Sequence, residues 1–286
     1  SKNNDIFIIM TMKYISGWLR YMINVACYVP FRALLGLFMG TKRAHEWMEK
    51  HPDKHWSHFP FDLKGSVFWS DPLQAWFEVI DYETINLMTG GPDFPPSWLD
   101  IKQGDVFMDI GAHVGRYTIL ASQRVGNNGC VVAVEPCVDN FHSLRRNIML
   151  NNISNVLLVN GGAWKESTIL PLAIHHRYSS MHHTIFRPLH NSKEYIWVGG
   201  VTVDTLMTTL HLPKVHWIKV DVEGAEVEVL EGAQNTLRLF SPILLIEIHG
   251  TEKNARELLS ARGYHEVESK ADPADPERGW LLAKKK

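Results

Sequence analysis

Between residues 101 and 286, short β-branched runs alternate with stretches of helical period. Apolar segments recur as DVFMDI (105–110), CVVAVE (130–135), NVLLVN (155–160), HWIKVD (216–221) and ILLIEI (243–248). They are short and rich in Val and Ile, which favours buried strands over helices. Amphipathic stretches separate most of them: RYTILASQRVG, Asn140–Leu150, EVEVLEGAQNTLRLF and, after the last, ARELLSARG. This is the rhythm of a parallel sheet with helical crossovers. Two final runs, YHEVES (264–269) and GWLLAKK (279–285), have no long helix between them and predict an antiparallel hairpin. The pattern predicts an α/β fold, an open doubly wound sheet of seven strands. Residues 161–215 are too many for one crossover helix, so they predict a lid-like insertion above the carboxyl edge of the sheet, where such folds bind ligands.

The preceding chain follows another pattern. Residues 5–40 are strongly apolar, and Lys13, Ser16, Gly17, Arg20 and Asn24 recur at three- and four-residue steps on one helical stripe. The opposite face carries Met12, Ile15, Trp18, Leu19, Met22, Ile23 and Ala26. Pro30 and Arg32 interrupt the best 20-residue window, so it does not read as a clean membrane span. Nor does a small-residue cleavage site follow a short apolar core, as a secretory signal would require. A helical cover for the main domain or a second copy of the chain, peripheral contact with a membrane, and an anchor remain as roles for this arm. Residues 41–75, dense in charge, His and Pro, predict short helix and irregular structure. The expected division is a helical extension and linker over 1–75 and a catalytic domain over 76–286.

Composition narrows the function. Lys and Arg total 29 against 31 Asp and Glu, a formal net charge of -2, which lacks the basic excess expected of a nucleic-acid binder. Cys27, Cys130 and Cys137 are odd in number and have no CxxC spacing, so neither a disulfide framework nor a zinc knuckle is expected. A reducing, cytoplasmic setting fits, with the arm as the element that would meet a membrane. The insertion contains His175, His176, His182, His183 and His190. Adjacent His pairs cannot place both rings on one strand face, so this stretch reads as a polar lid, and no metal is expected.

Candidate chemistry gathers at the predicted strand ends. The first turn, MDIGAHVGRYT, carries Asp109, Gly111 and Gly115. Gly111 permits a tight turn with backbone N–H groups facing a ligand, and Gly115 permits close packing of the next helix. A dinucleotide fingerprint would need glycine at 113, where this chain has His113, so the loop suits a nucleoside without a pyrophosphate. Glu135 and Pro136 close the second strand, and a carboxylate there can accept hydrogen bonds from both ribose hydroxyls. In KVDVEGAEVEVLEGA (219–233), an extended strand end would point Lys219, Asp221 and Glu223 the same way. Asp221 then suits a cationic ligand, and Glu223 either a substrate or the cap of the next helix. In LIEIHG, Glu247 and His249 lie two apart. His249, near the ordinary pKa of about 6.5, would take a hydroxyl proton while Glu247 orients it, or the pair completes a strand-end hydrogen-bond network.

The strings GDVFMDIGAHVGRYTILAS, VVAVEP followed by NFHSLRRNIMLNN, WIKVDVEGAEVEVLEGA and ILLIEIHG resemble the FkbM family of S-adenosylmethionine-dependent methyltransferases. The resemblance runs from about Tyr82 to Gly250. It implies a class I methyltransferase (Rossmann-like) fold, S-adenosyl-L-methionine as cofactor, and O-methylation of a hydroxyl on a small molecule, sugar or lipid-linked metabolite. By the same likeness Asp109, Gly111 and Gly115 hold the methionine portion, Glu135 the ribose, and the segment around Gly162, Ala163 and Trp164 the adenine. Ala112, His113, Thr118 and Pro136 also line the cofactor, and Glu83 faces its amino group. The usual Asn of that family's glycine turn is His113 here. Asp221 is expected to position the reacting groups, with His249 or Glu223 as proton acceptor. A nicotinamide-dependent oxidoreductase and a non-catalytic methyltransferase-like subunit of a membrane-associated complex are the alternatives, and a homo-oligomer is compatible with the apolar arm.

Overall fold

The computed structural model describes residues 65–89, 93–174, 183–184, 194–272, 275 and 277–285. The expected helical arm over 5–40 therefore lies outside the described residues, as do His175, His176, His182 and His190. The chain divides into two compact units, Ser1–Thr89 and Gly90–Lys286.

In the first unit, β1 (Val67–Ser70) and β2 (Ala75–Glu78) form an antiparallel hairpin, followed by helix α1 (Tyr82–Thr89). Over 67–75 this corrects the expectation of short helix and irregular structure, which for 41–64 falls outside the described residues. VFWS and AWFE are β-favouring runs of apolar and aromatic residues separated by the turn-forming DPLQ, and that pairing outweighs the surrounding Pro and charge. Phe68 pairs with Phe77 in the buried interior, and Trp69 meets Trp76 edge-on at 5.4 Å. Glu83 lies in α1, in this unit.

The second unit is built on a seven-stranded sheet. Its strands are β3 (Val106–Ile110), β4 (Cys130–Glu135), β5 (Val156–Asn160), β10 (Trp217–Val220), β11 (Ile243–His249), β12 (Tyr264–Ala271) and β13 (Arg278–Lys285). Their order is β12-β13-β11-β10-β3-β4-β5, with only the β12–β13 hairpin and its junction to β11 antiparallel. The seven strands and terminal hairpin agree with the sequence pattern. From β3 the chain winds outward through β4 to β5, and from β10 it winds the other way through β11, so the topological switch point lies between β3 and β10.

The helices α2 (Arg116–Val125), α3 (Val138–Leu150), α4 (Val203–Thr209), α5 (Glu226–Glu231), α6 (Gln234–Phe240) and α7 (Glu252–Ala261) connect the strands. The single helix suggested by EVEVLEGAQNTLRLF is divided at Gly232–Ala233 into α5 and α6. Gly232 lies against the backbone of Trp164, where a Cβ would meet the Trp164 carbonyl oxygen at 2.1 Å. Both sheet faces are covered. Met108, Ile110, Val132, Val220, Leu244 and Ile246 belong to one core, and Phe107, Val131, Trp217, Leu245, Trp280 and Leu282 to the other. The insertion contributes a second sheet of order β6-β9-β7-β8, from β6 (Gly162–Ala163), β7 (Thr168–Ala173), β8 (His183–Thr184) and β9 (Tyr195–Val201). Its β6 starts beside the end of β4, where the Gly161 N–H donates to the Glu135 carbonyl at 3.2 Å.

Candidate active site

At the switch point a buried ionic cluster joins β3 to β10. Lys219 is paired in register with Asp109, so both side chains leave the sheet on the same face. The Lys219 ammonium lies 3.1 Å from Asp109 Oδ1 and 3.2 Å from Asp221 Oδ2, and donates to the Gly111 carbonyl at 2.9 Å. Lys219 also lies 5.1 Å from the centre of the Tyr117 ring. Burial opposes its charge, but Asp109 and Asp221 more than offset that and hold its pKa above the ordinary value. The Thr118 hydroxyl donates to Asp109 Oδ2 at 2.6 Å, which fixes the carboxylate.

Two glycines shape the turn that follows. Gly111 has φ +78°, and a Cβ there would lie 1.7 Å from the Asp221 carbonyl oxygen, so the turn packs directly on the end of β10. Gly115, at φ +100°, starts α2 where a Cβ would meet Leu144 at 2.7 Å. The Gly111 and Ala112 N–H groups both donate to the Val134 carbonyl, each at 3.0 Å, so they tie the turn to β4 and do not face a ligand as the sequence suggested. His113 adopts the left-handed conformation (φ +51°), and its backbone N–H donates to Glu135 Oε2 at 2.8 Å. The first turn is thus tied to the end of β4.

Glu135 is almost fully buried. Its other oxygen accepts from the Cys137 N–H at 3.0 Å and from the Asn140 amide at 3.4 Å. Burial pushes its pKa up to about 7, although the N–H groups of Cys137 and His113 oppose the rise. The neighbouring wall is built by the insertion, with Ala163 and Trp164 buried and Trp164 packed with Leu170 and Ala225. Pro136 borders this wall, its Cβ 3.8 Å from where a Gly162 side chain would begin.

A second charged group lies at the ends of β10 and β11. Strand β10 stops at Val220, so Glu223 does not continue the alternation of Lys219 and Asp221. It sits instead at φ +52° in a left-handed turn, which brings its carboxylate within 3.5 Å of His249 Nε2. Nor does Glu223 cap α5: the N-cap is Ala225, without a side-chain bond, and Glu226 Oε1 accepts from the Gly224 N–H at 2.8 Å. Glu226 also meets His249 Nδ1 at 3.0 Å and accepts from the Thr251 hydroxyl at 2.6 Å. It is therefore Glu226, with no exposed surface, that orients His249. Glu247, assigned that role from sequence, lies 3.7 Å from Nε2 and instead accepts from Arg278 Nη2 at 3.2 Å.

The electrostatics of this group are strongly coupled. Burial pushes Glu223 up to about 7 against the opposing His249 and Arg278, while burial and the nearby Asp221 hold Glu247 well above the carboxylate range. Burial works against the charged form of Asp221, but Lys219 and His249 keep its pKa below the ordinary value. His249 departs from the expected ordinary value. Burial would lower it, yet the bond to Glu226 and the charges of Glu223 and Glu247 raise it to about 9. Sequence reasoning missed Glu226 and Arg278. Glu226 follows Glu223 by one turn, a spacing that marked it as a helix residue, while Arg278 reaches the site only through the pairing of β13 with β11, opposite His249.

Of the residues expected at the site, Asp109, Gly111, Ala112, His113, Gly115, Thr118, Glu135 and Asp221 are brought together at the switch point, and Glu223, Glu247 and His249 beside it. Glu83 is in the other unit. Residues 109–266 match the methyltransferase FkbM domain family, more than half of the chain. The chain belongs to the FkbM methyltransferase family.

This FkbM methyltransferase is 24% identical over 200 residues to Methyltransferase 1 of the fungus Beauveria bassiana, a match that covers 62% of this chain and 80% of that protein. It is 28% identical over 175 residues to the hexuronic acid methyltransferase AglP of Haloferax volcanii, covering 56% of this chain and 64% of the relative. The crystal structure of an FkbM methyltransferase from Methylobacillus flagellatus superposes with a TM-score of 0.49 at 19% identity, over 67% of this chain and 46% of that one. The chain thus spans less than two thirds of the Haloferax protein and under half of the Methylobacillus one. Family membership replaces the nicotinamide-dependent alternative.

Proposed function

We propose that this methyltransferase uses S-adenosyl-L-methionine to methylate a hydroxyl of a sugar or another small or lipid-linked metabolite. The observation that carries this reading is the buried Asp109–Lys219 pair with the half-buried Asp221 at the switch point, flanked by Glu135 at the end of the adjacent strand. The donor set fits the cofactor. Glu135 offers lone pairs for ribose hydroxyls, and Asp221 offers negative charge for a cationic centre. Trp164 and Ala163 supply an apolar wall for a base.

Bound there, S-adenosylmethionine supplies a methyl group on a sulfonium, and the protein must align an acceptor oxygen with that carbon, exclude water and take one proton. Glu223, beside the mouth and nearly buried, is the proton acceptor in this reading. His249, held by Glu226 and drawn toward its charged form by the carboxyl groups around it, steadies the ionised form of Glu223. Support for a sugar acceptor comes from the name of the Haloferax relative, a hexuronic acid methyltransferase.

The test is incubation of the full chain with methyl-labelled S-adenosylmethionine and a panel of uronic acid glycosides and neutral sugars, read by mass spectrometry. The reading expects a label on a sugar oxygen, with turnover reduced at least about a hundredfold in Glu223→Gln, the usual scale of general acid–base catalysis. Label transferred to nitrogen or carbon would contradict it.

A further inference from the structure

We propose that Asp221, Glu247 and His249 bind one divalent cation of the manganese type. The purpose assigned to the ion rests on the methyl-transfer reading above; its geometry does not. One ligand atom from each of the three residues lies within 4.8 Å of the others. An ion with ligand distances of ~2.0–2.6 Å closes that spread with small side-chain movements. Two carboxylates and an imidazole form a mixed oxygen–nitrogen set, which suits a first-row divalent ion better than an all-oxygen ion such as calcium.

The imidazole is prepared for this role. Glu226 accepts from Nδ1 at 3.0 Å and is itself held by the Gly224 N–H and the Thr251 hydroxyl. Ion binding would displace the Nε2 proton of the charged ring, leaving Nδ1–H on Glu226 and the Nε2 lone pair on the metal. A carboxylate behind a ligating imidazole is the usual support for a metal-bound histidine.

Arg278 marks where a cation belongs. Its Nη2 lies 3.1 Å from His249 Nε2, 3.2 Å from Glu247 Oε1 and 3.7 Å from Glu223 Oε1. Its Nε is buried without a hydrogen bond. A guanidinium paired for its own sake engages carboxylates with its planar fork. Here a single nitrogen sits among three acceptors in the manner of a point charge. The side chain is one-third exposed (33%) at the start of β13 and has solvent to swing into.

The ion would draw the acceptor's hydroxyl oxygen and lower the cost of removing its proton. That proton passes to the Glu223 carboxylate as the carbon–oxygen bond forms and the carbon–sulfur pair remains on sulfur.

Manganese(II) titrated into the metal-stripped full chain, with the free-ion paramagnetic resonance signal as readout, tests the site. The expected result is uptake of one ion per chain, weakened by more than about tenfold in Glu247→Gln and His249→Ala. Arg278→Ala should bind manganese several-fold more tightly, because it removes a competing cation, and a misfolded variant cannot produce such a gain. No uptake by the wild type, unchanged affinity in both ligand variants, or weaker binding in Arg278→Ala overturns the proposal. Calorimetry with S-adenosylmethionine on the same samples keeps the two readings apart. Cofactor uptake without manganese defeats the ion alone, and manganese uptake without the cofactor defeats the functional reading alone.

Discussion

At the scale of single residues, the site depends on a few atoms with no room to move. Gly111→Ala would place a methyl group 1.7 Å from the Asp221 carbonyl oxygen in a left-handed turn. Overpacking of this kind typically costs about 1–3 kcal/mol, with backbone strain added. Urea denaturation should show the loss, and an unchanged midpoint would contradict the packing described. Glu135 yields a pH prediction. Its carboxyl is pushed up to about 7, and ribose hydroxyls donate to the ionised form, so cofactor binding lowers its pKa. Affinity for S-adenosylmethionine should be full above that pH and fall as pH drops below it, by up to about tenfold per unit. Calorimetry from pH 5.5 to 8.5 checks the slope (roughly the range over which a group of this kind titrates). Glu135→Gln should flatten it, and an equal slope in the variant would assign it elsewhere.

At the scale of elements, Lys219 joins two strands that are adjacent in the sheet but more than a hundred residues apart in sequence. Lys219→Met would leave the buried Asp109 without its ion-pair partner, and breaking such a pair costs about 3–5 kcal/mol. Thermal and urea unfolding should both register it, and a variant as stable as the wild type would show the cluster to be weakly coupled. The strands themselves were legible because each is a short apolar run closed by Gly, Asp or Glu. The β1–β2 hairpin was not, because Pro and charged residues on either side concealed two four-residue runs. The reach of Glu223 was also concealed: period-two alternation cannot anticipate a left-handed turn at a residue other than glycine. Likewise Arg278 enters the site through antiparallel pairing with β11, a contact fixed by sheet order and not by spacing along the chain.

At the scale of the whole molecule, strand order carries the functional argument. Two windings that diverge between β3 and β10 leave a crevice at their carboxyl ends, and the residues closing β3, β4, β10 and β11 are Asp109, Glu135, Asp221, Glu247 and His249. The sequence named these residues because each terminates an apolar run, and the sheet explains why they meet. It did not provide their partners: Glu226 behind His249 and Arg278 before it set the charge of the site. No helix among the described residues is long and apolar enough to cross a membrane. The arm over 5–40 lies outside those residues, and a peripheral membrane role for it is tested by sedimentation of the full chain with anionic vesicles.

The central claim is that the switch-point crevice takes S-adenosylmethionine. Isothermal titration of the full chain with that compound addresses it directly. One site per chain is expected, with binding abolished in Asp109→Ala and Glu135→Ala variants that remain folded. A folded wild-type protein that takes up none of it, or variants that bind as the wild type does, would contradict the account.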